Sequence, residues 1–352
     1  MAAGRPTISD VARTAGVSKG AVSFALNGRP GVAPETRARI LAVAGDLGWT
    51  PSHRGRALAA SRALAVGLVI ARPPETLGAD PFFPAFIAGI ETSLSPLGQS
   101  LVLQVVPDRE RELDGYRRLA ADGRVDGVFL TDLRVDDPRP DLLAEIGLPA
   151  VWIGPDCVDT SRPCIAVDDR PGIAAAVAHL VELGHRHIAH VAGPDEFVHG
   201  VSRREAWADA LSDAGLPEGP CVRSDFSAQG GADATKILLD QRHRPTAIVY
   251  ANDLMAIAGM AAVTARGLDV PHDLSITGFD DTEVSGHLQP PLTTVRTDAY
   301  AWGRAAAERL MAAVDGREAP NLTLPPPHLV IRASTAPPRP HRSRDRHEME
   351  NR

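Results

Sequence analysis

Cysteine is scarce: Cys157, Cys164 and Cys221 are the only three among 352 residues. They form no C-x-x-C pair and no metal-ligand spacing. That excludes a disulfide-framed small domain and a cysteine zinc site, and reduced thiols are expected. No apolar run approaches the ~20 residues that cross a bilayer, and the N-terminus has no apolar signal core. A soluble, cytoplasmic chain with no membrane partner is therefore expected. No G-x-G-x-x-G follows the first strand-like run, so the main sign of a nucleotide-dependent oxidoreductase is missing. No nucleophile–base pair is evident either, and neither enzyme activity nor a cofactor is expected. There is no repeat of short period. The C-terminal stretch lacks leucine heptads, which leaves no basis for a coiled-coil tetramer.

What is present is unevenly distributed. Lys and Arg number 37 against 44 Asp and Glu, a net charge of −7. Residues 1–62 hold nine basic and three acidic side chains, a net of +6, so the rest of the chain carries −13. A basic head suits a module that meets phosphates, and an acidic body is kept off them. The length suits a small head plus a core of two subdomains.

The head is built on Thr7–Gly28 (TISDVARTAGVSKGAVSFALNG). Thr7 is placed to cap a first helix, with Asp10 as an acidic capping-box partner, and Ile8, Val11, Ala12 and Ala15 recur at helical spacing. Gly16 stops that helix and Ser18 can cap a second. In the second helix Ala21, Val22, Ala25 and Leu26 fall on one side, and Lys19, Gly20, Ser23, Phe24 and Asn27 on the other. A third run follows Pro34-Glu35, with Ile40, Val43, Ala44 and Leu47 inward. Three short helices with a small-polar, basic face are the layout of a helix-turn-helix DNA reader. An ordinary helical subdomain with a solvated face is the plain alternative.

The wording of this stretch resembles the N-terminal module of LacI-type (lactose-repressor-like) transcription regulators, T-I-x-D-V-A-x-x-A-G-V-S-x-x-T-V-S-x-x-L-N-G, with Ala21 in place of the usual threonine. The resemblance implies DNA contacts from Thr7, Ser18, Lys19, Gly20, Ser23, Phe24 and Asn27. Phe24 departs from the arginine common in that family. It cannot bond guanine in bidentate fashion, so readout there shifts towards a thymine methyl, unless the ring packs on the protein. After Gly48-Trp49-Thr50-Pro51 comes a linker, Ser52–Arg62 (SHRGRALAASR). It is either a flexible tether or, as in that family, a hinge helix that orders on DNA. In the second case Arg54 binds DNA and Leu58 wedges into the minor groove. Ser52 replaces the usual asparagine.

From Ala63 onward strand-like and helix-like runs alternate. Strands are expected at Leu64–Ala71, Leu101–Val106, Val125–Leu130, Pro149–Ile153, Cys164–Val167, His187–Ala192, Ala247–Ala251 and Leu274–Gly278. Helices are expected near 82–97, 109–122, 139–146, 171–184, 201–214, 228–241 and 253–266. This beat predicts parallel sheets covered on both faces, in two Rossmann-like halves. The fold class is thus α/β: a three-helix helix-turn-helix head plus a two-lobed core. The core resembles the periplasmic-binding-protein-like body of the same family. Its landmarks include Asp80-Pro81-Phe82-Phe83, Val167-Asp168-Asp169, Ala251-Asn252-Asp253, Gly278-Phe279-Asp280-Asp281 and Pro291-Leu292-Thr293-Thr294-Val295. The resulting division is a head at 1–50, a hinge at 51–63 and a core at 64–336. The N-lobe is placed at about 64–168 and 296–325, and the C-lobe at about 169–295 and 326–336. Crossings are expected near Asp168, Arg296 and Pro325, and a disordered tail at 337–352.

In such a body a small molecule binds outside the carboxyl ends of the strands. Asp80, Phe82, Asn252 and Asp280 follow strands. Arg203 lies early in a helix, where a cation opposes the helix dipole unless it faces a ligand. By resemblance Arg203, Phe226, Asn252 and Asp280 match positions that bond and stack an effector. Acids, an amide and a guanidinium suit a polyol's hydroxyls, and an aromatic ring covers its C–H face. A nucleoside also satisfies them. Asn252 is alternatively a helix cap, Phe226 core, and Asp281 a cap. Gly154 stands where many sugar-responsive relatives carry an acid. His179, His185, His187, His190 and His199 crowd one segment. Yet His187 and His190 point to opposite faces of a strand, nothing completes a tetrahedral set, and no metal is expected. The partners implied are a palindromic DNA operator read by a homodimer and a small-molecule effector, most simply a carbohydrate. The competing readings are a transport solute receptor without a DNA role and an enzyme on a Rossmann-like body.

Overall fold

A computed structural model of the chain describes residues 6–26, 29–49, 55, 57, 62–155 and 162–339. The head comprises α1 (Ile8–Ala15), α2 (Lys19–Leu26) and α3 (Pro34–Asp46). At its start the Asp10 carboxylate accepts both the Thr7 N–H at 2.9 Å and the Thr7 hydroxyl at 2.7 Å. Gly16 leaves α1 at φ 66°, where only glycine is unstrained, and Ser18 Oγ accepts the Ala21 N–H. Val11, Ala12, Ala15, Val22, Ala25, Ile40 and Ala44 form a small closed core, flanked by Val43, Leu47 and Trp49.

The body begins with β1 (Ala65–Ala71), α4 (Pro74–Ala79), α5 (Phe82–Leu94), β2 (Ser100–Val106), α6 (Arg109–Ala121), β3 (Val128–Leu130), α7 (Arg139–Glu145), β4 (Ala150–Gly154) and β5 (Cys164–Ala166). It continues with α8 (Arg170–Glu182), β6 (Ile188–Ala192), α9 (Val198–Asp213), β7 (Cys221–Arg223), α10 (Ala228–Leu239), β8 (Ala247–Tyr250), α11 (Asp253–Ala265), β9 (Ser275–Asp280) and β10 (Thr293–Arg296). Last come α12 (Ala299–Val314), β11 (Leu322–Thr323) and β12 (His328–Val330). Two six-stranded sheets result, in the orders β11-β5-β4-β3-β1-β2 and β12-β10-β9-β8-β6-β7. Every pairing is parallel except β10 with β12. The chain passes between the sheets after β5, after β10 and between β11 and β12. Each sheet is the middle of one lobe, and buried central strands such as β1 are why the apolar runs were unbroken.

The strand expectations fall on β1–β6, β8 and β9. The sequence reading passed over β7, β10, β11 and β12, which are short and edge-lying or polar, and α4 and α12. Helix α12 matters most. It returns to the first lobe and packs on α5 so closely that a Cβ on Gly89 would lie 2.1 Å from the Tyr300 carbonyl oxygen. Glycine is required at that crossing. The same helix borders the linker: Arg62 donates to Asp315 Oδ1 at 2.5 Å and to the Val314 carbonyl at 2.8 Å. Both oxygens of Asp126 accept backbone N–H groups, from Ala63 and Leu64, each at 2.8 Å.

One expectation about the thiols is corrected: Cys164 is disulfide-bonded, while Cys221 is free. Of the stretch assigned to the tail, Pro337–Arg339 are described, and Arg339 pairs with Asp273 at 2.6 Å.

Candidate functional site

A cleft opens between the lobes, and its walls include all six residues singled out for a ligand: Asp80, Phe82, Arg203, Phe226, Asn252 and Asp280. Arg203 sits in the second turn of α9, not the first, because the helix starts at Val198. Its charge is met inside the protein. Nε and Nη2 lie 2.8 and 2.7 Å from Asp169 Oδ2, Nη1 donates to the Ala251 carbonyl at 2.6 Å, and the guanidinium rests 3.7 Å over the Phe279 ring. Asp169 is 3% exposed and its Oδ1 has no hydrogen-bond partner.

Asn252 serves two purposes. Its Oδ1 caps α11 through the Met255 N–H, and its Nδ2 donates to the Phe226 carbonyl, which fixes the turn that carries the ring. Phe226 adopts φ 66° and packs over Gly193, where a Cβ would lie 2.1 Å from the ring. Asp280 stands at φ 109° and Asp281 at φ 54°. Side chains seldom occupy this region, and strain of that kind gathers at functional sites. Asp281 is not a helix cap: Arg296 Nε and Arg332 Nη2 hold it at 2.5 and 2.6 Å. Burial pushes the Asp280 carboxyl well above its ordinary value, against the pull of Arg203. Burial also raises Asp80, whose Oδ1 accepts the Phe82 N–H at 3.0 Å.

The structure adds cleft residues that the sequence reading missed. Arg72, at the end of β1, forms a two-pronged pair with Asp132, Nε–Oδ2 at 2.7 Å and Nη2–Oδ1 at 2.8 Å. Its guanidinium reaches across to the other lobe, 4.4 Å over Phe197 and 5.3 Å from the Phe226 ring centre. Although burial opposes it, Arg72 holds Asp132 ionised, down to about 2. His199 stacks on both Phe226 and Phe197, and burial drops its pKa to about 3, so it is neutral. Trp302 of α12 closes the floor beside Phe82. Arg72 and Asp132 follow strands just as Asp280 does, and that rule applied to every strand would have found them. At the cleft mouth the lobes are stitched by backbone bonds: Val135 N–H to the Glu196 carbonyl at 3.0 Å and Val198 N–H to the Leu133 carbonyl at 2.8 Å.

Residues 7–52 match bacterial regulatory proteins of the lacI family, and residues 177–335 match a periplasmic binding protein-like domain. The HTH-type transcriptional regulator CelR of Thermobifida fusca is 35% identical over 338 residues, which cover 94% of this chain and 98% of that one. This chain belongs to the LacI family of transcriptional regulators. MalR of Streptomyces coelicolor is similar at 34% over 341 residues, with 94% and 96% covered. The lac repressor dimer bound to operator and the anti-inducer ONPF superposes with TM-score 0.80 at 31% identity, covering 95% of this chain and 100% of that one. A CelR–cellobiose complex gives 0.72 at 33%, covering 94% and 100%.

As a LacI-family regulator the chain is a DNA-binding protein, and its head shows the outward face. Thr7, Ser18, Lys19 and Gly20 are exposed and Ser23 is half-buried. Phe24 is 42% exposed although its edge lies against Gly31. Asn27, Arg54 and Leu58 lie outside the described residues. A Cβ at Gly154 would come 2.7 Å from Leu133 Cδ1, so an acidic side chain there does not fit without moving Leu133. Two of the crowded histidines hold structure together. His185 hydrogen-bonds Thr246 Oγ1, Ser275 Oγ and the Ala336 carbonyl, and His190 bonds the Val249 carbonyl and stacks on Trp207. Among the described residues no group of three His, Cys, Asp or Glu could hold a metal ion, and no helix is long and apolar enough to cross a membrane.

Proposed function

We propose that this regulator is a cytoplasmic repressor that binds a palindromic operator as a homodimer and is controlled by a saccharide in the interlobe cleft. The observation that carries this reading is the cleft itself. Flat apolar rings (Phe82, Phe226, Trp302) and acids with open acceptor positions (Asp80, Asp280) line one cleft, the combination that grips a polyol by its C–H face and its hydroxyls. The CelR–cellobiose complex is a structural neighbour that supports it. Asp80, Phe82, Arg203, Phe226, Asn252 and Asp280 bind the effector. Thr7, Ser18, Lys19, Gly20, Ser23, Phe24 and Asn27 read and position DNA, and Arg54 and Leu58 act in the hinge. Among the described residues that line the cleft no hydroxyl is hydrogen-bonded to a base, in keeping with a site that binds its ligand without converting it.

Control runs through α12. Trp302 touches the cleft, and ~18 Å further along the helix, at 1.5 Å per residue, Val314 and Asp315 hold Arg62 at the linker. A shift of the lobes on binding is passed to the hinge, and operator affinity changes by the effector's preference between the two states. The test is a gel shift on promoter DNA near the chain's own gene, with and without a panel of mono- and disaccharides. Retarded DNA that one sugar releases or tightens supports the reading. Failure to bind any genomic fragment at low salt overturns it.

A further inference from the structure

We propose that the cleft accepts its saccharide only in uncharged form and excludes phosphorylated and carboxylated sugars. The regulator then reports a sugar ahead of the phosphoryl-transfer or oxidation step that consumes it. This rests on the saccharide reading of the cleft and narrows it.

The argument is a charge inventory. Two cations line the cleft, and neither has charge to spare. Arg72 is fully engaged along one edge by both oxygens of Asp132, and Arg203 is engaged by Asp169 and the Ala251 carbonyl. One face of each guanidinium is covered, by Phe197 and by Phe279. The third basic group, His199, is neutral. With those pairs cancelled, what remains are two acids, Asp80 and Asp280. Asp80 accepts one backbone N–H, and no hydrogen bond from the described residues reaches the Asp280 side chain. Asp169 Oδ1 is a further buried acceptor without a donor. Three acids therefore keep acceptor positions without donors, while the Nη1 edge of Arg72 keeps N–H groups that a hydroxyl oxygen can accept from.

A sugar hydroxyl donates to such acceptors. A phosphate or carboxylate brings acceptors only, together with negative charge, into a site where water no longer screens it from Asp80 and Asp280. An anionic ligand would need a cation whose charge is unspent, whereas Arg72 and Arg203 are each neutralised by a buried acid, and drawing either away strands Asp132 or Asp169 in the interior.

The test uses the full chain and matched trios: glucose, glucuronate and glucose 6-phosphate; cellobiose, cellobiouronate and cellobiose 6′-phosphate; and the same trio built on maltose. The uronate replaces CH2OH with a carboxylate of similar size, so it separates charge from bulk. Isothermal titration is expected to give at least one neutral binder whose uronate and phosphate are weaker by ~100-fold or more. In Asp80→Asn/Asp280→Asn the penalty on the uronate should shrink at least ~10-fold. Asp80→Asn alone, which keeps an acceptor for the Phe82 N–H, should shrink it partway if the double variant does not fold. An acidic sugar that matches or beats its neutral parent overturns the inference, as does a penalty that the variants leave unchanged. Silence from every member of every trio is a different failure. It sinks the saccharide reading itself, and the charge inference with it.

Discussion

Nine histidines lie between residues 63 and 339, and all nine stand in the lobe built on the second sheet. The first lobe has none and buries charge instead. There Glu112 and Arg139, each 1% exposed, are paired at 2.8 Å, with Arg134 on the other Glu112 oxygen at 2.6 Å and Asp137 on Arg139 at 2.6 Å. Arg139 also donates to the Thr131 and Asp132 carbonyls, directly behind the cleft. Apart from the Arg203–Asp169 pair at the cleft and the arginines on Asp281, the second lobe meets its buried polar groups with neutral partners. His185 sits among hydroxyls and a carbonyl, and Asp253 accepts the Ser285 and Thr294 hydroxyls and the Thr282 N–H. The two chemistries meet at the cleft, where Arg72 and Arg134 of the first lobe lie over Phe197 of the second. A charge network is rigid, tolerates no missing member and is indifferent to mild acid. A neutral histidine network is the reverse, because protonation alone breaks it.

The largest test of this contrast is Arg139→Ala. Removing one member of a buried ion cluster leaves Glu112 and Asp137 under-paired and should cost about 3–5 kcal/mol. Amide exchange read by mass spectrometry should show the loss in peptides covering β1 and β3, with β8 and β9 keeping their protection. Equal loss in both lobes would mean that they open as one unit, and the comparison would fall. The next test is acid. Burial, with Arg203 and Arg204 adding to it, lowers the His190 pKa from 6.5 to about 4. A depressed folded value contributes stability in full above pH 6.5 and surrenders it as pH falls towards 4. At pH 5 the loss is about 2 kcal/mol. Urea unfolding of His190→Leu should therefore show a drop between pH 7 and pH 5 that is smaller by about that amount. Buried acids such as Asp253 and Asp280 titrate in both proteins and cancel in the difference. An unchanged drop would remove His190 from the account. In the first lobe Asp132, held near 2, stays ionised throughout this range.

The same contrast explains what could be read in advance. Strands such as Leu64–Ala71 were legible because a parallel strand buried on both faces is a plain apolar run. Thr293–Arg296 was not, because β10 buries Thr293 and Thr294 by hydrogen-bonding their hydroxyls, one of them to Asp253. Helix α12 escaped with it, because the strand–helix beat continues through β10 and an unread strand hides the helix that follows. In the cleft, residues that follow strands were visible singly. Their pairings were not. Arg203 meets an acid 34 positions earlier and Arg72 one 60 positions later, and no local pattern encodes such distances. That is why Arg203 looked like a cation waiting for a ligand, when its charge is already answered.

The smallest effect on stability belongs to the residue that links these lobes to the head. Arg62 and Asp315 are each about one-third exposed, and a pair so open to solvent contributes under about 1 kcal/mol. Arg62→Ala should leave the unfolding midpoint of either lobe nearly unmoved. Its consequence should appear elsewhere, because Arg62 is where α12 grips the linker, through a side chain as well as the Val314 carbonyl. Operator affinity with and without effector, measured by fluorescence anisotropy, should differ less in the variant than in the parent, while effector binding to the cleft is unchanged. If the difference survives intact, coupling bypasses α12 and must travel by the backbone that Asp126 anchors at Ala63 and Leu64. Asp126→Asn then becomes the variant that separates the two routes. Either outcome places the coupling in the first lobe, which holds both sets of contacts with the linker.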